Sequence, residues 1–287
     1  MNNRPLGMKE WSERISLAAL FTGIGALIML VFSPLRPLLE GSADTLGRIG
    51  LIGLLLTGAW LAGKNRRIEK YRQLIVGLLI MTVAVSLDWF FGNTLMDSLG
   101  VDGKTPDSFA LLKLTEGVVV TGVIVTLTRL SENSLGSIYL QKGNMKLGLS
   151  FGGIAFVVCA VGAIPMTWLM FKPGEMSLAR LMGWTPWLLV SILANATQEE
   201  LLFRGLFLRK LEPFFGKFLS NFLIVIVFTL LHKGIMYTAN GLAFWGLLLA
   251  LGLAWGGIMQ KTDSIWGSIL FHAGTDIPVF LGIFSNL

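Results

Sequence analysis

Residues 197–205 read Thr-Gln-Glu-Glu-Leu-Leu-Phe-Arg-Gly, and this run determines how the whole chain must fold. It places three ionisable side chains inside residues 184–208, a segment that otherwise has the composition of a membrane-spanning helix. Burying an ionisable group at bilayer depth costs about 2.5–3.5 kcal/mol on insertion scales, so charged groups within a span indicate a functional site. The four-residue spacing predicts that Glu200 and Arg204 share one helix face and neutralise each other, whereas Glu199 faces elsewhere.

A histidine is the expected partner of Glu199. The chain contains two histidines, His232 and His272, and each lies in a different apolar segment downstream of the glutamates. Asp276 follows His272 by four residues, so these two side chains should share a helix face. Asn195 precedes Glu199 by one turn and should lie on the same face as that glutamate. The pattern predicts that three helices bring Glu199, His232 and His272 into one cavity.

The composition indicates an all-α, polytopic helical membrane protein. Of its 287 residues, 54% are hydrophobic and 14% are charged, with a mean hydropathy of +0.71. Soluble chains carry about 25% charged residues. The apolar runs are long and continuous, unlike the short alternating segments of a membrane barrel. The net charge of +6 does not indicate nucleic-acid binding, because the basic residues lie in short loops between apolar runs.

The apolar runs predict nine membrane spans, or eight if the short, Gly-rich second run does not cross the bilayer. They lie at about 15–32, 46–63, 74–91, 109–128, 147–171, 184–208, 218–238, 241–259 and 264–285. The densest cluster of Lys and Arg lies in the loop at residues 64–72, and loops on the same side carry most of the other basic residues. The positive-inside rule therefore predicts a cytoplasmic N-terminus.

The polar loop at residues 129–146 separates the first four predicted helices from the last five. We therefore expect an N-terminal four-helix membrane region, residues 1–146, followed by a functional core, residues 147–287. The loop is too short to imply two independently folding domains.

Charged residues in the first region have a structural interpretation. Lys113 and Glu116 are three residues apart in the fourth span and should pair with each other. Asp88 lies near the end of the third span, where a charged group is less costly to bury.

Small residues are concentrated near the polar groups. Gly205 follows Arg204, and Gly252, Gly256 and Gly257 lie along the eighth apolar run. Small side chains let membrane helices approach closely. They should permit the helices that carry the glutamates and histidines to meet.

Two kinds of site would use these residues. A carboxylate and an imidazole that share a water can deprotonate it for attack on a carbonyl carbon, then return the proton to the leaving amine. A second histidine can hold the developing oxyanion. Alternatively, Glu199, His232, His272 and Asp276 could together hold one divalent metal ion such as Zn²⁺. The residues alone leave both open, with no cofactor or one metal ion.

Three motifs in order resemble those of a known family. Glu-Glu-x-x-x-Arg begins at Glu199, Phe-x-x-x-His ends at His232, and His-x-x-x-Asp begins at His272. Over roughly residues 147–287 the chain resembles the CAAX-protease and bacteriocin-processing family of intramembrane endopeptidases, to which the Ras-converting enzyme is related. Eukaryotic members trim prenylated CAAX tails, and bacterial relatives are implicated in peptide maturation and bacteriocin self-immunity. The resemblance implies a peptidase, and we expect it in a bacterial plasma membrane.

The resemblance also implies a role for each polar residue. Glu199 and His232 would activate water, while Glu200 and Arg204 would fix the helix that carries the first glutamate. Helical spacing, and not the resemblance, places Asn195 one turn from Glu199, where we expect it to support the same site.

His272 and the residue at 276 would form the oxyanion pocket. Asp276 departs from the pattern, because the eukaryotic enzymes carry Asn there. An ionised Asp cannot donate a hydrogen bond to an oxyanion. It would have to be protonated, orient His272 or bind a metal.

Two other functions remain open. One is a non-catalytic immunity or scaffold protein of the same family, and the other is an ion or proton pathway through the buried polar groups. A transporter should contain inverted repeats or helices broken at matching positions, and neither is visible in the sequence. The absence of His-Glu-x-x-His argues against a site-2 zinc protease. The expected partners are the lipid bilayer and a peptide or protein substrate entering from the membrane or the cytoplasmic side, and no nucleic acid.

Overall fold

The computed structural model describes residues 7–35, 37–131, 133–232 and 241–287 of the chain. In these ranges the chain forms helices and no β-strand. Seven helical stretches are long and apolar enough to cross a membrane, or eight if one bent pair counts as a single span. The predicted fold, an all-α polytopic membrane bundle, is confirmed.

Ten helices of eight residues or more make up the described part of the bundle. They are α1 Met8–Ala26, α2 Gly41–Lys64, α3 Arg72–Trp89, α4 Pro106–Leu130, α5 Met145–Val161, α6 Ala163–Met170, α7 Leu178–Glu200, α8 Leu206–Leu231, α9 Gly241–Thr262 and α10 Trp266–Phe284. Short π-helical turns are present at Leu27–Val31, Phe90–Leu95 and Leu201–Gly205.

The helices correspond to the predicted spans with two differences. The predicted fifth span consists of α5 and α6, which are bent by 64° relative to each other. The predicted sixth and seventh spans form one helical stretch of 54 residues, Leu178–Leu231. A straight helix of that length would be about 80 Å long, far more than the roughly 30 Å of a hydrocarbon core. The stretch is interrupted at Gly216, whose φ of 72° is not helical. Residues 233–238 of the predicted seventh span lie outside the described residues.

Local sequence explains where the main helices begin. The Ser177 side chain accepts a hydrogen bond from the backbone N–H of Arg180 and caps the N-terminus of α7. Thr105 caps α4 in the same way, and Pro106 occupies its first position, where a missing N–H is tolerated. The Asn144 side chain caps α5.

Helices from both predicted regions pack against each other. The Phe21 ring lies 5.1 Å from the Phe207 ring in an edge-to-face arrangement. A Cβ added at Gly117 of α4 would lie 3.2 Å from Ala194 of α7, so these two helices are in close contact. The division of the chain at residue 146 therefore stays a prediction based on its polar loop.

Glycines bring α9 against α8 and the π-helical turn. A Cβ added at Gly252 would lie 2.9 Å from the Arg204 guanidinium, and one at Gly256 would lie 2.0 Å from Asn221 Oδ1. The predicted close approach is confirmed at both positions. Gly257 differs, because a Cβ there would meet nothing within 4 Å.

A second set of close contacts holds α10 against α5. A Cβ added at Gly152 would lie 2.4 Å from the carbonyl oxygen of Gly267. One at Gly274 would lie 2.7 Å from the Cα of Phe156. These contacts fix the position of the helix that carries His272.

Candidate active site

The Glu-Glu-x-x-x-Arg motif lies across a change in helix geometry. Helix α7 ends at Glu200, and the π-helical turn Leu201–Gly205 connects it to α8. Such turns are rare and are frequently found at functional sites. The turn keeps Arg204 on the same side as Glu200.

Glu200 is the centre of a fully buried polar cluster. Arg204 Nη1 donates to Glu200 Oε1 over 2.8 Å, and both side chains are 0% exposed, which confirms the predicted pair. The hydroxyl of Ser268 donates to Glu200 Oε2. His272 Nδ1 lies 2.8 Å from Glu200 Oε1, and because an ionised carboxylate only accepts, Nδ1 carries the proton. Glu200 therefore connects α7 to α10 as well as to Arg204.

Aromatic rings enclose this cluster. The Arg204 guanidinium lies 4.5 Å from the centre of the Phe228 ring and 5.0 Å from that of Trp255, in cation–π geometry. The Trp255 ring stacks on the His272 ring at 3.8 Å with an angle of 11° between planes. Arg204 and His272 are thereby held in fixed orientations between α7, α8, α9 and α10.

Glu199 lies on the opposite, open side of the helix end. Its Oε2 atom is 3.5 Å from His272 Nε2 and has no hydrogen-bond partner among the described residues. Asp276 Oδ1 is 3.6 Å from the same nitrogen, and Asn195 Nδ2 donates to Asp276 Oδ2 over 3.0 Å. The predicted contact between Glu199 and a histidine and the predicted shared face of His272 and Asp276 are both confirmed.

His232 follows the last residue of α8 and lies in the same cavity as Glu199. Its Nδ1 atom is 3.0 Å from the carbonyl oxygen of Phe228. A carbonyl oxygen only accepts hydrogen bonds, so Nδ1 carries a proton and, in the neutral ring, Nε2 keeps its lone pair. His232 can therefore act as a base.

These side chains line one cavity of about 410 Å³. Its walls include all of the predicted site residues other than Glu200 and Arg204, namely Asn195, Glu199, His232, His272 and Asp276. The prediction that three helices bring the glutamate and both histidines into one cavity is confirmed. The roles of the individual residues stay predictions.

Several residues of the site were not foreseen. Lys113 Nζ donates to Glu116 Oε2 over 2.6 Å, as predicted, but the pair lies in the wall of the cavity. Ser268 could have been found, because it precedes His272 by four residues and so shares its helix face. Trp255 is in a different helix from the other site residues, so no spacing in the sequence predicts its place beside His272.

The residues expected from sequence as metal ligands do not surround a common point. In the part of the chain that the structure describes, no group of three or more His, Cys, Asp and Glu side chains is arranged to hold a metal ion. His272 Nε2 is 3.5 and 3.6 Å from its two carboxylate neighbours. Its Nδ1 is already bonded to Glu200. The arrangement supplies no ready ligand set of the kind that Zn²⁺ takes, with bonds of about 2.0–2.2 Å.

Comparison with known families identifies the segment that holds the site. Residues 181–278 match the family model Rce1-like, described as Type II CAAX prenyl endopeptidase Rce1-like. The match confirms the resemblance to the CAAX-protease family and spans every predicted site residue, from Asn195 to Asp276. The match covers about a third of the chain and, with the membrane-spanning helices, supports a membrane peptidase in general terms. No curated protein and no solved structure matches the chain.

Proposed function

We propose that this chain is an intramembrane endopeptidase that hydrolyses a peptide bond with water activated by Glu199 and His232. The observation that carries the proposal is the buried Glu199 Oε2, which has no hydrogen-bond partner in the described residues and faces the cavity that both histidines line. A carboxylate held in this way costs free energy unless water hydrates it, and a costly ionisable group within a membrane span indicates a functional site.

The reaction requires a base and a proton carrier. Glu199 takes a proton from water as the water oxygen attacks the carbonyl carbon, with the Nε2 lone pair of His232 as the second acceptor. The carbon–nitrogen bond then breaks, and the proton passes to the leaving amine. Glu200 and Arg204 act as positioning residues, because their buried ion pair fixes the helix end that carries Glu199.

His272 supports the negative charge of the intermediate. Glu200 holds Nδ1, so Nε2 faces the cavity and, when protonated, donates to the oxyanion. Asp276 accepts a hydrogen bond from Asn195, so we assign it the role of orienting His272 instead of donating to the oxyanion itself. Asn195 is a positioning residue for Asp276.

The substrate proposed for this cavity has an apolar portion. Aromatic, leucine and methionine side chains form most of the cavity wall, including Phe109, Met166 and Leu248. The Rce1-like match favours a peptide with a C-terminal CAAX tail, entering from the membrane or the cytoplasmic side. We further propose that the basic loop at residues 64–72 faces the cytoplasm of a bacterial cell.

A cleavage assay with purified protein tests the proposed function. Full-length protein in lipid vesicles is incubated with prenylated and unprenylated CAAX peptides, and the products are identified by mass spectrometry. Cleavage by the unaltered protein that disappears in Glu199→Gln supports the proposal. Absence of cleavage of any membrane-embedded peptide by folded protein would favour the non-catalytic immunity or scaffold alternative.

A further inference from the structure

A second cavity adjoins the catalytic one. It has a volume of about 200 Å³, and Leu112 and Glu116 of α4 line both cavities. Asp88, Asp97 and Asp102 line the second cavity but not the first. The Lys113–Glu116 ion pair therefore lies at the junction between the two cavities.

The second cavity extends from the surface to a buried carboxylate. Asp97 and Asp102 are exposed, whereas Asp88 is 9% exposed and its Oδ1 has no hydrogen-bond partner among the described residues. The Lys104 backbone N–H donates to Asp102 and lowers the pKa of that carboxyl, so the outer end stays anionic at neutral pH.

The cavity has the properties that buried water requires. A buried carboxylate oxygen without a protein partner is strongly unfavourable unless water hydrates it. One water needs roughly 10–15 Å³ of space and two to four polar partners, and this cavity exceeds both requirements. Most of the catalytic cavity wall, by contrast, is apolar.

We propose that the second cavity is the route by which water reaches the catalytic cavity, with Glu116 as the positioning residue that passes it across the junction. This inference rests on the proposed hydrolysis, which consumes one water in each turnover. Leu112 and Glu116 line both cavities, and the Lys113–Glu116 pair lines the catalytic cavity together with Glu199, so polar atoms are present on the inner side of the junction.

Thiol accessibility tests the route without reference to catalysis. Cys159 is the only cysteine, so Cys159→Ala gives a background into which single reporter cysteines are placed. Gly92→Cys lies in the second cavity, where an added Cβ meets only Asp88 Oδ1 at 4.0 Å. Leu112→Cys lies at the junction. Leu114→Cys is a matched control, because Leu114 lies outside both cavities on the exposed surface of the same membrane-spanning helix, where lipid instead of water is expected to surround a thiol.

Each variant is reconstituted in vesicles and treated with cationic or anionic membrane-impermeant methanethiosulfonate reagents. Because only a hydrated thiolate reacts, Gly92→Cys and Leu112→Cys should react at least about tenfold faster than Leu114→Cys. The cationic reagent should react faster than the anionic one, because carboxylates line the route. Equal reactivity of Leu112→Cys and Leu114→Cys would overturn the proposal, as would a reactive Gly92→Cys beside an unreactive Leu112→Cys.

Filling the second cavity tests delivery of water to the reaction. Gly92→Trp should lower kcat while leaving KM unchanged, because Gly92 lines the second cavity but not the cavity assigned to the substrate. Leu114→Trp should change neither constant. A Gly92→Trp enzyme with the kcat of Leu114→Trp would overturn the delivery role even if cleavage itself is established. If no cleavage is found, the accessibility measurements still decide whether the route exists.

Discussion

The two adjacent glutamates at the end of α7 have opposite surroundings. Glu200 is 0% exposed and bonded to Arg204, Ser268 and His272. Glu199 is 12% exposed, faces a cavity of about 410 Å³, and its Oε2 has no hydrogen-bond partner among the described residues. A rotation of about 100° per residue along the helix is enough to separate the two surroundings. We call the Glu200 cluster with Arg204, Ser268 and His272 the closed side, and the cavity that Glu199 faces the open side.

The two glutamates show that the burial of a charged group does not by itself reveal its role. A buried charge surrounded by partners holds the structure together, because removing one partner leaves the others unpaired. A buried charge beside a cavity is available to a substrate or to water. His272 belongs to both sides, because its two ring nitrogens face Glu200 and Glu199 respectively.

The largest effect is expected from removing the open carboxylate. Glu199→Gln keeps the shape of the side chain but removes the base, so peptide cleavage should fall by about 10²–10⁴-fold. Thermal unfolding of the purified variant should match that of the unaltered protein. Retained cleavage would show that another group activates water.

Removing the closed carboxylate should damage stability first. Glu200→Gln leaves Arg204 buried without its ionic partner, which typically costs about 3–5 kcal/mol. The unfolding temperature in detergent and the yield of monodisperse protein should both fall. Glu199→Gln serves as the matched control, and equal stability of the two variants would contradict the division between the closed and open sides.

The closed side could be predicted from sequence only in part. The Glu200–Arg204 pair follows from helical spacing, because the partners are four residues apart. The bonds from Ser268 and His272 depend on how α10 packs against α7, and the Trp255 stack depends on α9. Contacts between helices far apart in sequence have no local signal, so those partners emerged only from the packed structure.

The open side shows the same limit. The cavity was predicted from the two histidines and Glu199, because charged and titratable groups are rare in membrane spans. The place of Lys113 and Glu116 in its wall was missed, because their mutual spacing already explained them as a pair. The bundle itself followed from long apolar runs, whereas the bend between α5 and α6 did not.

A moderate effect is expected where glycine permits the closed side to form. Gly252→Ala would place a methyl group 2.9 Å from the Arg204 guanidinium and from Val225. Overpacking of this kind typically costs about 1–3 kcal/mol. Gly257→Ala on the same helix meets nothing within 4 Å and should be neutral or slightly stabilising. Equal unfolding temperatures for the two variants would show that the side chains around Gly252 move aside at little cost in stability.

The smallest effect is expected at Asp276, which lies 3.6 Å from His272 Nε2 on the open side. Asp276→Asn keeps an oxygen to accept the Asn195 hydrogen bond and replaces the other oxygen with an N–H donor. In a metal-free reaction, cleavage should stay within about tenfold of the unaltered rate or rise, because Glu200 and the Trp255 stack still hold the His272 ring and the new N–H can donate to the oxyanion.

A chelator then decides between the two chemistries. If Glu199 and His232 activate water without a metal, treatment with a chelator leaves cleavage by both proteins unchanged. If the carboxylate at 276 binds a metal, Asp276→Asn weakens that binding because an amide is a poorer ligand than a carboxylate. Cleavage would then be lost with the chelator, return with Zn²⁺ in the unaltered protein, and return only at higher Zn²⁺ in the variant. That outcome would make the open side a metal centre that assembles only when the ion is bound.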